Sequence, residues 1–170
     1  RSEALALQWS DLDLDRGGVA LDQNKTDDPR AWELRPDTHR TFQTWWAMRG
    51  GPSEDERVFV DDAGHVLPWD HAADRFRADL KRAEITRAQL FERSESRKQA
   101  DFHMTRSTFV TISLANCKTE SWVMDRTGHR SSDQIGKYRR GARAVAELGL
   151  GDLQPMHEVV PEIRRWFEGV

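Results

Sequence analysis

One cysteine and one tyrosine stand among the 170 residues, and several common functional signatures are missing altogether. The lone Cys117 excludes an internal disulfide and suits a reducing compartment. No apolar run approaches the roughly 18 residues that a membrane-spanning helix needs, and no signal peptide is legible. There is no Walker loop, no G-x-G-x-x-G, no internal repeat and no low-complexity tract. The six histidines form no H-x-x-x-H or Cys–His cluster, so neither a metal nor another cofactor is expected. Positive charge is not in surplus either. The net charge is −3 and the pI is near 6.1, so the total does not announce a nucleic-acid partner.

What is present makes a single domain of ordinary size. Charged residues supply 32% and hydrophobic ones 37%, enough for a real core in a soluble chain. The charge is unevenly placed. Between Arg126 and Arg143 six Lys or Arg face one acid, Asp133, while acid gathers at 11–15, 54–56 and 147–168. A basic patch on an acidic body is the expectation, and a patch matters more to a charged partner than the sum does.

Periodicity lays out the elements. Residues 2–11 read as a helix, then a turn at Asp15–Gly18, an alternating strand from Val19 to Lys25, a second turn at Thr26–Pro29 and a strand from Ala31 to Leu34. Pro36 to Arg49 is a helix ended by Gly50-Gly51-Pro52, in which only one of Trp45 and Trp46 can face inward. A short strand at 57–60 and a helix at 69–83 follow, the helix with Ala73, Phe76 and Leu80 inward. The polar stretch 84–101 is a loop with one helical turn. Phe109, Ile112 and Ala115, beside Val110 and Leu114, predict a buried amphipathic helix over 104–116. Asn116 is placed to take the left-handed conformation at its end. A short helix begins at Trp122–Val123. Ser131 and Gln134 have capping-box spacing for another helix through Arg140, on which Ile135 and Tyr138 share a face. A Gly151/Pro155 break precedes a last helix near 158–167, whose apolar residues are Ile163, Trp166 and Phe167. Packing of this tail on its own domain and docking on a neighbouring protomer are both open.

The chemistry concentrates between His103 and Tyr138. His103 and Arg106 lie one helical turn apart at a helix N-terminus, where free N–H groups and the helix dipole favour phosphate. Arg106 adds a planar fork for two phosphate oxygens. His129 follows in a T-G-H turn, and Tyr138 comes nine residues after it. A guanidinium, two imidazoles and a phenol are the groups needed to break a phosphodiester by attack of a phenolic oxygen. Arg126, Arg130, Lys137, Arg139 and Arg140 surround them and are candidate DNA contacts.

Taken together, H-x-x-R, then G-H, then Tyr at these spacings resemble the catalytic domain of the tyrosine recombinase, or phage integrase, family. S-E-A-L-A-L-Q-W-S-D-L at 2–12 resembles its first box, and Lys25 sits where its hairpin lysine is expected. The resemblance spans roughly residues 1 to 140. It implies an α+β fold, mainly helical, with a small antiparallel three-stranded sheet at one edge. It divides the chain into a catalytic domain, 1–150, and a C-terminal helical tail, 151–170. It also implies cleavage and rejoining of double-stranded DNA through a 3′-phosphotyrosine, without metal or cofactor, by protomers assembled in a tetrameric synapse. Tyr138 would be the nucleophile, with Arg106, His103, His129 and Lys25 around it, in a cytoplasmic, nucleoid-associated protein of a bacterium or phage. The register of the first box puts its arginine one position ahead of Arg1, and the family's upstream DNA-clamping domain is not in these residues. Residues 1–170 are therefore expected to behave as an inactive or weak fragment.

Three other readings stay open. A type IB topoisomerase would use the same nucleophile, but relax supercoiled DNA as a monomer. A decayed integrase would bind DNA without forming an adduct. A helical protein-interaction domain would lack any contiguous basic surface around Tyr138.

Overall fold

The computed structural model describes residues 2–22, 29–61, 63–68 and 70–169. It is mainly helical, with one small antiparallel sheet in the order β1-β2-β3. The strands are β1 (Leu12–Asp13), β2 (Gly18–Leu21) and β3 (Arg30–Glu33). Leu12 pairs with Val19, and Leu21 with Arg30. The expected helix over 2–11 is divided into α1 (Ser2–Ala6) and a separate 3-10 turn at Trp9–Asp11. Gln8 breaks it: its backbone is extended and bridges to Arg57, while Trp9 N–H donates to Glu56 O. In place of the expected strand at 57–60, isolated bridges form, Gln8 to Arg57 and Val60 to Val66, and Val58 N–H donates to Leu7 O at 2.9 Å.

Helix α2 (Pro36–Met48) opens on proline, whose fixed φ and missing N–H suit the first turn. Trp45 is its inward tryptophan, with Nε1 donating to Val58 O at 3.2 Å, whereas Trp46 is exposed. Leu7, Trp9, Leu12, Val19 and Val58 form one buried cluster beneath the sheet and α2. Helix α3 (Ala72–Arg82) half-buries Ala73, Phe76 and Leu80, and α4 (Ala88–Phe91) is the single helical turn of the polar stretch.

A second cluster, Val110, Val123 and Ile135, joins α5 (His103–Ala115), α6 (Glu120–Thr127) and α7 (Ser132–Glu147). The inward stripe of α5 runs through Val110 and Ser113, not through Phe109, which is exposed and stacks on Trp122 at 6.0 Å. The left-handed residue after α5 is Cys117 (φ 58), not Asn116. Asn116 instead spends its amide on Ile112 O and Gly151 O, both at 2.9 Å, which ties the helix end to the chain beyond α7. The capping box expected at α7 does not form. Ser131 makes no side-chain cap, and the Gln134 carbonyl accepts from Arg130 N–H at 3.0 Å. The helix also runs on to Glu147, past the expected end at Arg140.

The tail forms two helices, α8 (Met156–Val159) and α9 (Pro161–Glu168), separated at Val160 because Pro161 cannot continue the first. It packs on α2 of the same chain. Trp166 stacks on Trp45 at 5.5 Å, the Arg40 guanidinium lies 4.1 Å over the Phe167 ring, and Ile163 is buried. Asp37 accepts the Met156 N–H at 2.9 Å. Burial raises its carboxyl pKa, but this N–H and the Arg35 guanidinium outweigh burial and hold it below the ordinary value. Trp166→Ala removes a half-buried stacked ring, which should weaken docking by about 1–2 kcal/mol. Hydrogen exchange is the measurement: amides of 156–168 should exchange faster while those of α5 and α7 keep their protection.

Candidate active site

Four side chains from α5, the T-G-H turn and α7 converge. Helix α5 begins at His103, and Asp101 Oδ1 caps its backbone N–H at 2.9 Å. One turn on, Arg106 is half-buried while His103 is exposed. The next residue, Ser107, places Oγ 3.5 Å from the Tyr138 hydroxyl, across to α7. Tyr138 is half-buried against the Val110–Val123–Ile135 cluster, so its ring is held by packing and its hydroxyl points at the α5 terminus. The His129 ring meets the Tyr138 ring edge-on at 6.2 Å.

His129 is set in place by the end of α6. Gly128 caps that helix in the left-handed region (φ 64), a conformation cheap only for glycine. The Thr127 hydroxyl donates its proton to Val123 O at 2.6 Å, so its contact with His129 Nδ1, also 2.6 Å, requires Nδ1–H as donor. Neutral His129 therefore presents Nε2 as an acceptor. Burial lowers its pKa, and the positive charges of Arg106, Lys137 and His103 lower it further. Arg106, Lys137 and His103 all act on His129, so positive charge gathers beside the Tyr138 ring.

The folded pKa lies below the ordinary 6.5, so the unfolded chain binds the His129 proton more readily. Stability from this group is whole above the unfolded value and is lost as pH falls through 6.5 toward the folded one. A phosphate at the site would oppose this positive charge and raise the pKa again. NMR titration of the His129 ring should show a low value for the free chain and an upward move with a duplex.

Beside the site a cleft of about 1360 Å3 opens between β3, α5 and α6, with Trp32, His103, Arg106, Trp122 and Arg126 among its walls. Arg126 lies 3.8 Å over the Trp122 ring, and burial lowers its pKa. The other candidate DNA contacts are dispersed around Tyr138. The Lys137 ammonium sits 5.1 Å from the Tyr138 ring centre. Arg130 and Arg140 are exposed. Arg139 Nε–H bonds Glu120 Oε1 at 2.6 Å in a surface ion pair. Lys25 and Arg1 lie outside the described residues. Among the described residues no helix is long and apolar enough to cross a membrane, and no three His, Cys, Asp or Glu converge as a metal site.

Sequence reading missed Ser107, Thr127 and Arg30. Ser107 and Thr127 adjoin or lie inside motifs already recognised, so the signal was adjacency. Arg30 carries no such signal: its guanidinium reaches the Arg126 carbonyl 96 positions away.

Among solved structures the chain is similar to XerA recombinase, with a TM-score of 0.65 at 20% identity over 87% of its own length. It spans about half of that protein, 52%. No curated protein sequence matches it. The model of the phage integrase family matches residues 1–144, from the first box through α7 as far as Ala144. That stretch contains every motif residue of the site, and the chain belongs to the phage integrase family of tyrosine recombinases.

Proposed function

We propose that this chain, extended upstream through the family's first arginine, cleaves and rejoins double-stranded DNA by metal-independent transesterification, with Tyr138 as nucleophile. The observation that carries the reading is the convergence at one helix end of the Tyr138 hydroxyl, the His129 ring and the cations that act on it. The same convergence counts against a protein-interaction domain, which has no use for a positive pole at a phenol.

A DNA phosphodiester repels nucleophiles by its own charge, and a free phenol ionises only near pH 10. Both obstacles are met locally. Arg106, with the family's first arginine, holds the non-bridging oxygens and gains strength as charge builds up in the trigonal-bipyramidal transition state. His103 takes or relays the Tyr138 proton as the phenolic oxygen attacks phosphorus. His129, protonated once a phosphate is present, donates from Nε2 to a phosphate oxygen. The bond to the 5′ oxygen breaks, and Lys25, which follows β2 in the sequence, protonates that leaving group. The product is a 3′-phosphotyrosine and a 5′ hydroxyl, and a 5′ hydroxyl from a second duplex reverses the attack. The bond energy is kept throughout, so no nucleotide cofactor is needed.

In this reading 1–150 is the catalytic unit and 151–170 its tail. Arg126, Arg130, Lys137 and Arg140 meet the DNA backbone, and Arg139 does so once it leaves Glu120. Protomers assemble on DNA as a tetramer in the cytoplasm. The test is denaturing electrophoresis with a nicked suicide duplex, using the chain extended upstream through the first arginine. A heat-stable, nuclease-sensitive adduct is expected. Salt-sensitive binding with no adduct would instead mark a decayed DNA-binding module.

A further inference from the structure

Arg30 is buried where an arginine needs a reason to be. Its side chain is 7% exposed on β3, and it is not among the walls of the cleft. Nη2 donates to Glu3 Oε1 at 2.7 Å, and Nη1 to the Arg126 carbonyl at 3.4 Å, near the end of α6. Nε is buried with no partner among the described residues. Such a pair is weak grounds for stability, since desolvation of two ions can cancel their attraction and an apolar pair of similar volume often does as well. The missing partner at Nε makes the arrangement poorer still.

What the guanidinium touches suggests its use. Glu3 belongs to the first box. The Arg126 carbonyl and Gly128 flank Thr127, whose hydroxyl orients His129. A Cβ added at Gly128 would stand 3.1 Å from Arg30 Nη1 and 3.5 Å from its Cζ, so the guanidinium packs closely against the T-G-H turn. A compact ammonium has no fork with which to reach both oxygens.

We infer that Arg30 is a positioning residue: it ties Glu3 to the turn that carries His129 and so fixes how the His129 ring stands against Tyr138. The inference rests on the transesterification reading above. It gives the Glu3–Arg30 pair a catalytic consequence without contact with DNA.

The experiment compares Glu3→Gln/Arg30→Met, in which neither charge is left alone, with Glu3→Gln, in which Arg30 keeps its charge without Glu3, and adds Arg30→Lys. Four quantities are read: melting temperature, duplex concentration at half-saturation, adduct rate at saturating duplex, and the NOE between the His129 and Tyr138 rings. The double variant is expected to melt within a few degrees of Glu3→Gln and to bind duplex equally well. Its saturated adduct rate should fall about 10- to 100-fold, because small misplacements carry costs of that order. The NOE should weaken, and Arg30→Lys should recover only part of the rate. A double variant with unchanged rate and NOE, or one that simply unfolds, overturns the inference. If Glu3→Gln itself forms no adduct, the NOE decides alone: its loss in a folded double variant supports positioning, and its persistence refutes it. Absence of adduct from the parent chain extended upstream through the first arginine would fail the transesterification reading and leave that NOE result standing by itself.

Discussion

Tyr138→Phe is expected to remove every trace of covalent adduct while leaving the fold and duplex binding almost untouched. The ring does the packing: it lies against the Val110, Val123 and Ile135 cluster and under the Lys137 ammonium, and phenylalanine keeps all of that. Among the described residues the hydroxyl hydrogen-bonds to Ser107 Oγ at 3.5 Å, long for an O–H···O bond. Its removal should cost at most about 0.5–1.5 kcal/mol, or a few degrees of melting temperature. Chemistry has no such reserve, since Tyr138 is the only tyrosine in the sequence. Denaturing electrophoresis beside a thermal melt checks both halves. Any adduct formed by the folded variant removes Tyr138 from the role.

Arg106→Ala should slow adduct formation at saturating duplex about 100- to 1000-fold, the usual effect of losing one donor to a transition state. Arg106→Lys should recover little, because an ammonium cannot grip two phosphate oxygens as a planar fork does. A second readout separates this role from simple loss of binding. Arg106 is the largest of the charges that lower the His129 pKa, so its removal should move that titration upward. Single-turnover rates measured across pH, with the His129 ring followed by NMR, test both. A variant that loses affinity but keeps its saturated rate and the His129 titration would reduce Arg106 to an anchor.

The site was legible where its residues share an element or a short turn. His103 and Arg106 fall one turn apart on α5, and the Ile135–Tyr138 face of α7 follows from spacing alone. What escaped depends on contacts between distant segments. Phe109 was expected inside by periodicity, but Trp122 on α6 draws it outward into a stack, leaving small Ser113 against the core. Asn116 has the right residue type for a left-handed cap, yet its amide is drawn to Gly151 O, and Cys117 takes the strained φ. The tail's apolar face was plain in the sequence. That it seats on α2 depends on Trp45 and Asp37, more than 100 positions upstream of the residues they hold. Arg30 shows the limit most clearly, because a strand residue beside a turn gives no hint of two carbonyl and carboxylate partners on other elements.

The most direct test is to digest the adduct with protease and nuclease and sequence the remaining peptide by tandem mass spectrometry. A nucleotide joined through its 3′ phosphate to Tyr138, with a free 5′ hydroxyl on the departing strand, is the expected product. A nucleotide on any other residue, or one joined through its 5′ phosphate, would contradict a site in which His103, Arg106, His129 and Tyr138 act together on one phosphate.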